Sequence, residues 1–155
     1  MQHVSPTDIE KALVAASRQT AVDLERMAER AFANGSYHNA EVLLKKQIHA
    51  LRDAEGVNLN SPLQAEATEA LGTVLAKQAN WKEAAQLWEE AYRRYEKVFS
   101  VEGLDDTSSE FSDTTFRRLE TLERVARNLV LVYDALGDIH AAGTWRIQID
   151  LLHLI

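Results

Sequence analysis

The chain has 155 residues, a mass of 17.4 kDa, 46% hydrophobic residues, a net charge of −7 and no cysteine. One domain's worth of core is expected at this length, and the missing cysteines exclude disulfides, thiolate metal sites, a thiol nucleophile and iron–sulfur clusters. Six Gly and two Pro are too few for the closely spaced turns of a β-sandwich, and the acidic balance argues against nucleic acid as a partner.

Ser5-Pro6-Thr7-Asp8 reads as a helix start, with Ser as the cap, Pro at the first helical position and Asp at the positive end of the dipole. Apolar or small residues then recur at Ile9, Leu13, Ala16, Thr20, Leu24, Met27, Ala28 and Ala31, which is one face of a helix. Nothing breaks the pattern before Asn34-Gly35, so one long helix is expected rather than two. A second helix is read through Tyr37, Ala40, Leu44, Gln47, Ile48 and Leu51 to Glu55-Gly56. Ser61-Pro62-Leu63-Gln64 has the form of a capping box and opens a third helix that runs to about Gln78. The fourth begins at Trp81 and carries the cleanest amphipathic stripe: Ala84, Ala85, Trp88, Ala91, Tyr92, Tyr95, Val98 and Phe99. Val101 to Thr115 holds five acidic residues and no Lys or Arg, and reads as an acidic loop over about 101–113. A fifth helix is expected from about Asp113 to Leu136, and a sixth from Ile139 to near the C-terminus.

Three of the turns align. Asn34-Gly35-Ser36-Tyr37-x-x-Ala40, Gln78-Ala79-Asn80-Trp81-x-x-Ala84 and Leu136-Gly137-Asp138-Ile139-x-x-Ala142 each hold a tight turn, a large residue, and Ala three residues on. Leu71-Gly72 and Leu129-Val130 precede their large residues by similar distances, with Met27-Ala28 in the matching place of the first copy. Each unit therefore reads as a helical hairpin. The small residue lets the second helix approach the first, and the large residue plugs the closed end.

At these residues the chain resembles the tetratricopeptide repeat family. Glu-Ala-Leu-Gly at 69–72, Trp-Lys-Glu-Ala-Ala at 81–85, Trp-Glu-Glu-Ala-Tyr at 88–92 and Arg-Asn-Leu-Val-Leu-Val-Tyr-Asp-Ala-Leu-Gly-Asp at 127–138 are close to its pattern. The family's second small residue in the second helix of a hairpin is Ala91 in copy two, but Gln47 and Ile149 stand there in the others. Tyr37 to Trp81 is 44 residues and Trp81 to Ile139 is 58, against a usual repeat of about 34. This looks like the extended repeats of kinesin light chains and of sensor proteins. The resemblance implies an all-α, right-handed superhelix of three stacked antiparallel hairpins, six helices forming a single domain over 1–155. Repeat 1 would span about 20–56, repeat 2 about 61–101 and repeat 3 about 113–155.

It also implies a non-catalytic protein–protein interaction module that holds a peptide or helix of a partner in a concave groove. Off-stripe side chains would line that groove: Val22, Glu25, Glu29 and Phe32, then Glu66, Glu69, Thr73 and Lys77, then Arg124, Arg127, Asn128, Leu131 and Asp134. It would be acidic at one end and basic at the other. The family often places Asn at the position of Asn128 to bond a peptide backbone, but Arg26 and Ala70 fill the matching places here. The alternative is a small repeat chaperone holding a secretion or assembly substrate, which normally has the standard spacing that is missing here. The bland reading of the same residues is a solvated helix face.

No phosphate loop, nucleophile elbow, His-x-x-x-His pair or calcium-loop frame occurs, so no cofactor, metal or catalytic residue is expected. The pairs Lys45-Lys46, Arg93-Arg94 and Arg117-Arg118 sit among acidic residues and read as surface ion pairs. Ser108 and Ser109 offer hydroxyls for phosphorylation inside the acidic loop. No membrane span or signal peptide is legible, so an intracellular, cytoplasmic protein is expected.

The sixth helix carries two apolar stripes, one with Ile139, Ala142, Trp145, Ile149 and Leu152, the other with Ile147, Leu151, Leu154 and Ile155. A helix apolar on both sides is buried on both sides. That points to a partner or homodimer contact over an end face of Trp145, Ile149, Leu151, Leu152 and Ile155, or to a chain cut from a longer array. Fraying of the last residues is the plainer alternative.

Overall fold

The structure, a computed structural model, describes residues 4–102 and 111–154. Among these the chain is all-helical: α1 (Pro6–Ala33), α2 (Tyr37–Glu55), α3 (Pro62–Lys77), α4 (Trp81–Glu102), α5 (Phe111–Leu136) and α6 (Ile139–Leu152). The chain forms two compact units, Met1–Asn58 and Leu59–Ile155. The first holds the α1–α2 hairpin. In the second, α4 packs on both α3 and α5, and α6 packs on α5.

Local chemistry sets the boundaries. The Ser5 hydroxyl accepts from the Asp8 amide at 3.2 Å, and the Ser61 hydroxyl accepts from the Gln64 amide at the same distance. α1 is a single helix of 28 residues. α4 extends to Glu102 and α5 begins at Phe111, with Asp113 in its first turn where the dipole favours a carboxylate. The expected loop is therefore helical at both flanks, and its remainder at 103–110, with Ser108 and Ser109, lies outside the described residues.

The three aligned turns share one hydrogen-bond pattern. Ser36 N donates to Ala31 O at 2.8 Å, Asn80 N to Leu75 O at 2.9 Å and Asp138 N to Tyr133 O at 2.9 Å. This six-to-one bond needs a left-handed residue at the turn, and Gly35, Ala79 and Gly137 have φ of 75°, 61° and 75°. Ala40, Ala84 and Ala142, one turn into each following helix, are 0% exposed.

The expected plug is uneven. Tyr37 is half-buried with its ring edge-on to Phe32 at 5.4 Å. Trp81 is partly exposed, and Ile139 is 80% exposed and plugs nothing.

The close approach expected at Gly72 is present. A Cβ there would lie 2.7 Å from Cδ1 of the buried Trp88, whose indole N–H donates to the Glu69 carbonyl at 3.3 Å. Around this contact the core of the second unit collects Leu71, Val74 and Leu75 of α3, Tyr92, Tyr95 and Val98 of α4, and Val125, Leu129 and Val132 of α5.

Two substitutions test these turns and contacts. Ala79→Gly relieves the left-handed strain of a Cβ at φ 61°; urea denaturation is expected to show a gain of about 0.5–1 kcal/mol. Gly72→Ala gains about 1 kcal/mol in helix propensity but overpacks Trp88. A net loss of about 1–2 kcal/mol is expected by the same measurement.

Candidate functional site

The second unit contains a groove between α3 and α5, with α4 as its floor. The α3 residues on this side follow helical spacing, which carries Glu66 and Glu69 to the rim. Tyr95, Val98 and Phe99 of α4 form the floor, and Thr121 and Arg124 of α5 close the other side, around a space of about 480 Å³.

Glu69 is the hub. Its carboxylate accepts from Tyr95 Oη at 2.8 Å and from Arg124 Nη2 at 2.8 Å and Nε at 2.9 Å. One side chain thus ties α3 to α4 and α5 through a two-pronged guanidinium contact. Arg124 is held above the ordinary arginine value, chiefly by its bond to Glu69. The Tyr95 phenol is pushed far up, by burial first and the Glu69 carboxylate second. Beside it the rings of Tyr95 and Phe99 stack at 5.8 Å, and the Arg118 guanidinium lies 5.9 Å from the Phe99 centroid. Three donors thus hold the Glu69 carboxylate in one place between the helices.

Glu66, Glu69 and Arg124 are brought together in this groove. The other residues expected there are elsewhere. The Thr73 hydroxyl turns back onto the Glu69 carbonyl at 3.2 Å. Lys77 is exposed in the last turn of α3. Arg127 is exposed and its Nε donates to Glu123 at 2.9 Å. Asn128 is half-buried, and Leu131 is exposed. Glu25, half-buried, and the exposed Glu29 and Val22 belong to the first unit, as does Phe32. The basic end expected from Arg124 and Arg127 is neutralised, because each guanidinium has a carboxylate of its own, and Asp134 is paired with Arg146 at 2.7 Å. Tyr95, Val98 and Phe99 were not legible as site residues, because their spacing matches a packing stripe and α4 serves as stripe and floor at once; Thr121 of α5 carried no signal in the sequence.

Of the three basic pairs, Lys45 bonds Glu41 at 3.2 Å and Arg93 bonds Glu89 at 3.3 Å, as surface pairs do. Arg94 departs from that reading. It is buried, with its guanidinium on Glu90 at 3.0 Å and on the Gln64 amide oxygen at 3.4 Å. Its long stem reaches across from α4 to the start of α3.

The end helix is also divided differently from the expectation. Trp145 is half-buried, with its ring edge-on to Tyr92 of α4 at 4.9 Å, and Leu152 is buried. Gln148 Nε2 donates to the Tyr92 hydroxyl at 2.9 Å, and His153 Nε2 lies 3.3 Å from Glu123. Trp145 and Leu152 therefore serve the chain's own packing, because α6 lies on α5 and reaches α4. Ile149 is half-buried, Leu151 is exposed beside Ile147 and Leu154, and Ile155 lies outside the described residues.

Among the described residues, no three His, Asp or Glu side chains gather as a metal site, and no helix is long and apolar enough to cross a membrane. No protein-family model matches the chain, and no curated protein matches it.

Three of the four tyrosines are held above the ordinary phenol value: Tyr92 and Tyr95 chiefly by burial, and Tyr133 up to about 12 by burial and by the Glu89 carboxylate to which it donates. Raised folded values make the associated stability fully present below about pH 10 and lost as pH rises through the folded values. Alkaline titration at 295 nm is expected to show Tyr133 ionising near 12. Glu89→Gln should move that midpoint toward 10.

Proposed function

We propose that this chain is a non-catalytic protein-interaction module, and that its second unit seats an extended or helical segment of a partner protein in the α3–α5 groove. The observation that carries the reading is the preformed floor and rim: stacked Tyr95 and Phe99 under a Glu69–Arg124 clasp. A groove already held in one arrangement loses little conformational entropy on binding. Aromatic floors favour an apolar anchor on the incoming segment. In this reading the three hairpins stack as a tetratricopeptide-type right-handed superhelix. The shared turn bonds and fully buried alanines support the hairpin as the repeated unit. A cytoplasmic setting suits a cysteine-free chain. A small chaperone that shields a substrate segment in the same groove is the second form of this reading, favoured by the same aromatic floor.

The test is selection from a displayed peptide library on the intact chain, followed by fluorescence anisotropy of the enriched peptides. Thr121→Trp fills the groove from its α5 side and is expected to weaken the selected peptides about tenfold or more. Enrichment of no motif, or equal binding by Thr121→Trp, sinks the groove as the binding surface.

A further inference from the structure

α1 carries more apolar surface than its hairpin covers. It has 28 residues against 19 in α2, which is about 42 Å against about 28 Å. The hairpin closes at Asn34–Ser36, and Asp53 near the end of α2 is level with Leu13 and Ser17. Roughly the first two turns of α1 therefore run on beyond α2. The stripe of Ile9, Leu13, Ala16, Thr20 and Met27 falls on one side of α1, and it stays uncovered: Ile9 is 51% exposed, Leu13 63% and Met27 50%, with Ala16 and Thr20 exposed between them. Where the stripe passes α2 it borders a groove of about 640 Å³, floored by Ala50 and rimmed by Lys45, Lys46 and His49.

We propose that a second copy of this chain occupies this face, the two α1 helices pairing antiparallel about a twofold axis near Ala16. The stripe is self-complementary in that register. Its centre is small, which permits close approach, and its outer part is large. Leu13 falls between the partner's Ala16 and the partner's Thr20, and Ile9 between the partner's Thr20 and the partner's Leu24, which is large-into-small interdigitation. The overhang that α2 leaves bare is flanked by the partner's α2.

Charge agrees with the register. Glu10 lies on the side of α1 that faces α2, and the pairing brings it level with the basic rim of the other copy, beside the partner's Lys46. Among the described residues neither Glu10 nor Lys46 has an ion-pair partner within the chain. Antiparallel pairing also opposes the two helix dipoles, and an isologous contact closes at two copies.

Sedimentation velocity on the intact chain over a concentration series tests this. A species of twice 17.4 kDa is expected at the upper end. Leu13→Arg should weaken self-association by more than about a hundredfold, with helicity by circular dichroism unchanged because the side chain is exposed in the single chain. Glu10→Lys and Lys46→Glu should each weaken it about tenfold, since symmetry doubles each pair, and their combination should restore it. A wild-type monomer at every concentration, a dimer indifferent to Leu13→Arg, or a double exchange that fails to restore association overturns the proposal. Peptide binding by the α3–α5 groove is read separately, and monomeric Leu13→Arg should retain it.

Discussion

At the closed end of each hairpin one residue takes positive φ, so that the next amide reaches back to the carbonyl five residues earlier. This bond sets the direction in which the chain re-enters helix. It brings Ala40, Ala84 and Ala142, one turn into the second helix of each hairpin, to full burial. A larger side chain there would force the helices apart, and a straighter turn would carry the alanine off the contact. Helix spacing, and with it the position of every side chain further along the hairpin, follows from that closure. Glycine meets the backbone demand at Gly35 and Gly137, while Ala79 meets it with a Cβ under strain.

In the second unit the spacing set by the turns is locked by side chains that cross between helices. Gly72 admits the Trp88 indole, which bonds the Glu69 carbonyl; the carboxylate of the same Glu69 collects Tyr95 and Arg124. Packing and polar contacts therefore meet at one turn of α3. The consequence for recognition is that rim charge is internally balanced. What the proposed groove would offer a partner is shape and aromatic surface ahead of free charge. Arg146 with Asp134 and His153 with Glu123 fasten α6 to α5 in the same manner.

Amphipathic pattern has different outcomes in different helices. In α4 the stripe is covered because α3 and α5 both lie on it. In α1 an equally regular stripe stays largely bare, since the one neighbour in its unit, α2, is shorter and packs to its side. α6 lies between: its Ala142–Leu152 side is turned to the chain, while Ile139, Ile147 and Leu154 face outward. Hydrophobic period identifies a face that favours burial; the number of neighbours decides whether the same chain supplies it.

Helix order, the long undivided α1, the serine caps and the turn register were legible from residues alone, because caps and left-handed turns are local: a few side chains and one dihedral decide them. The core of α3 and α4 was legible for the same reason, with Gly72 marking a close approach. The groove was legible only in part. Glu66, Glu69 and Arg124 could be placed on their helix faces by spacing. That Glu69 and Arg124 would neutralise each other 55 positions apart could not be read, nor that Tyr95 and Phe99 form the floor, nor that Arg94 is buried and Ile139 exposed. By itself the sequence determined which segments are helical and where each hairpin turns. The tertiary structure alone decided which charges are paired and which apolar faces are covered, because both depend on distances between helices that no local period encodes.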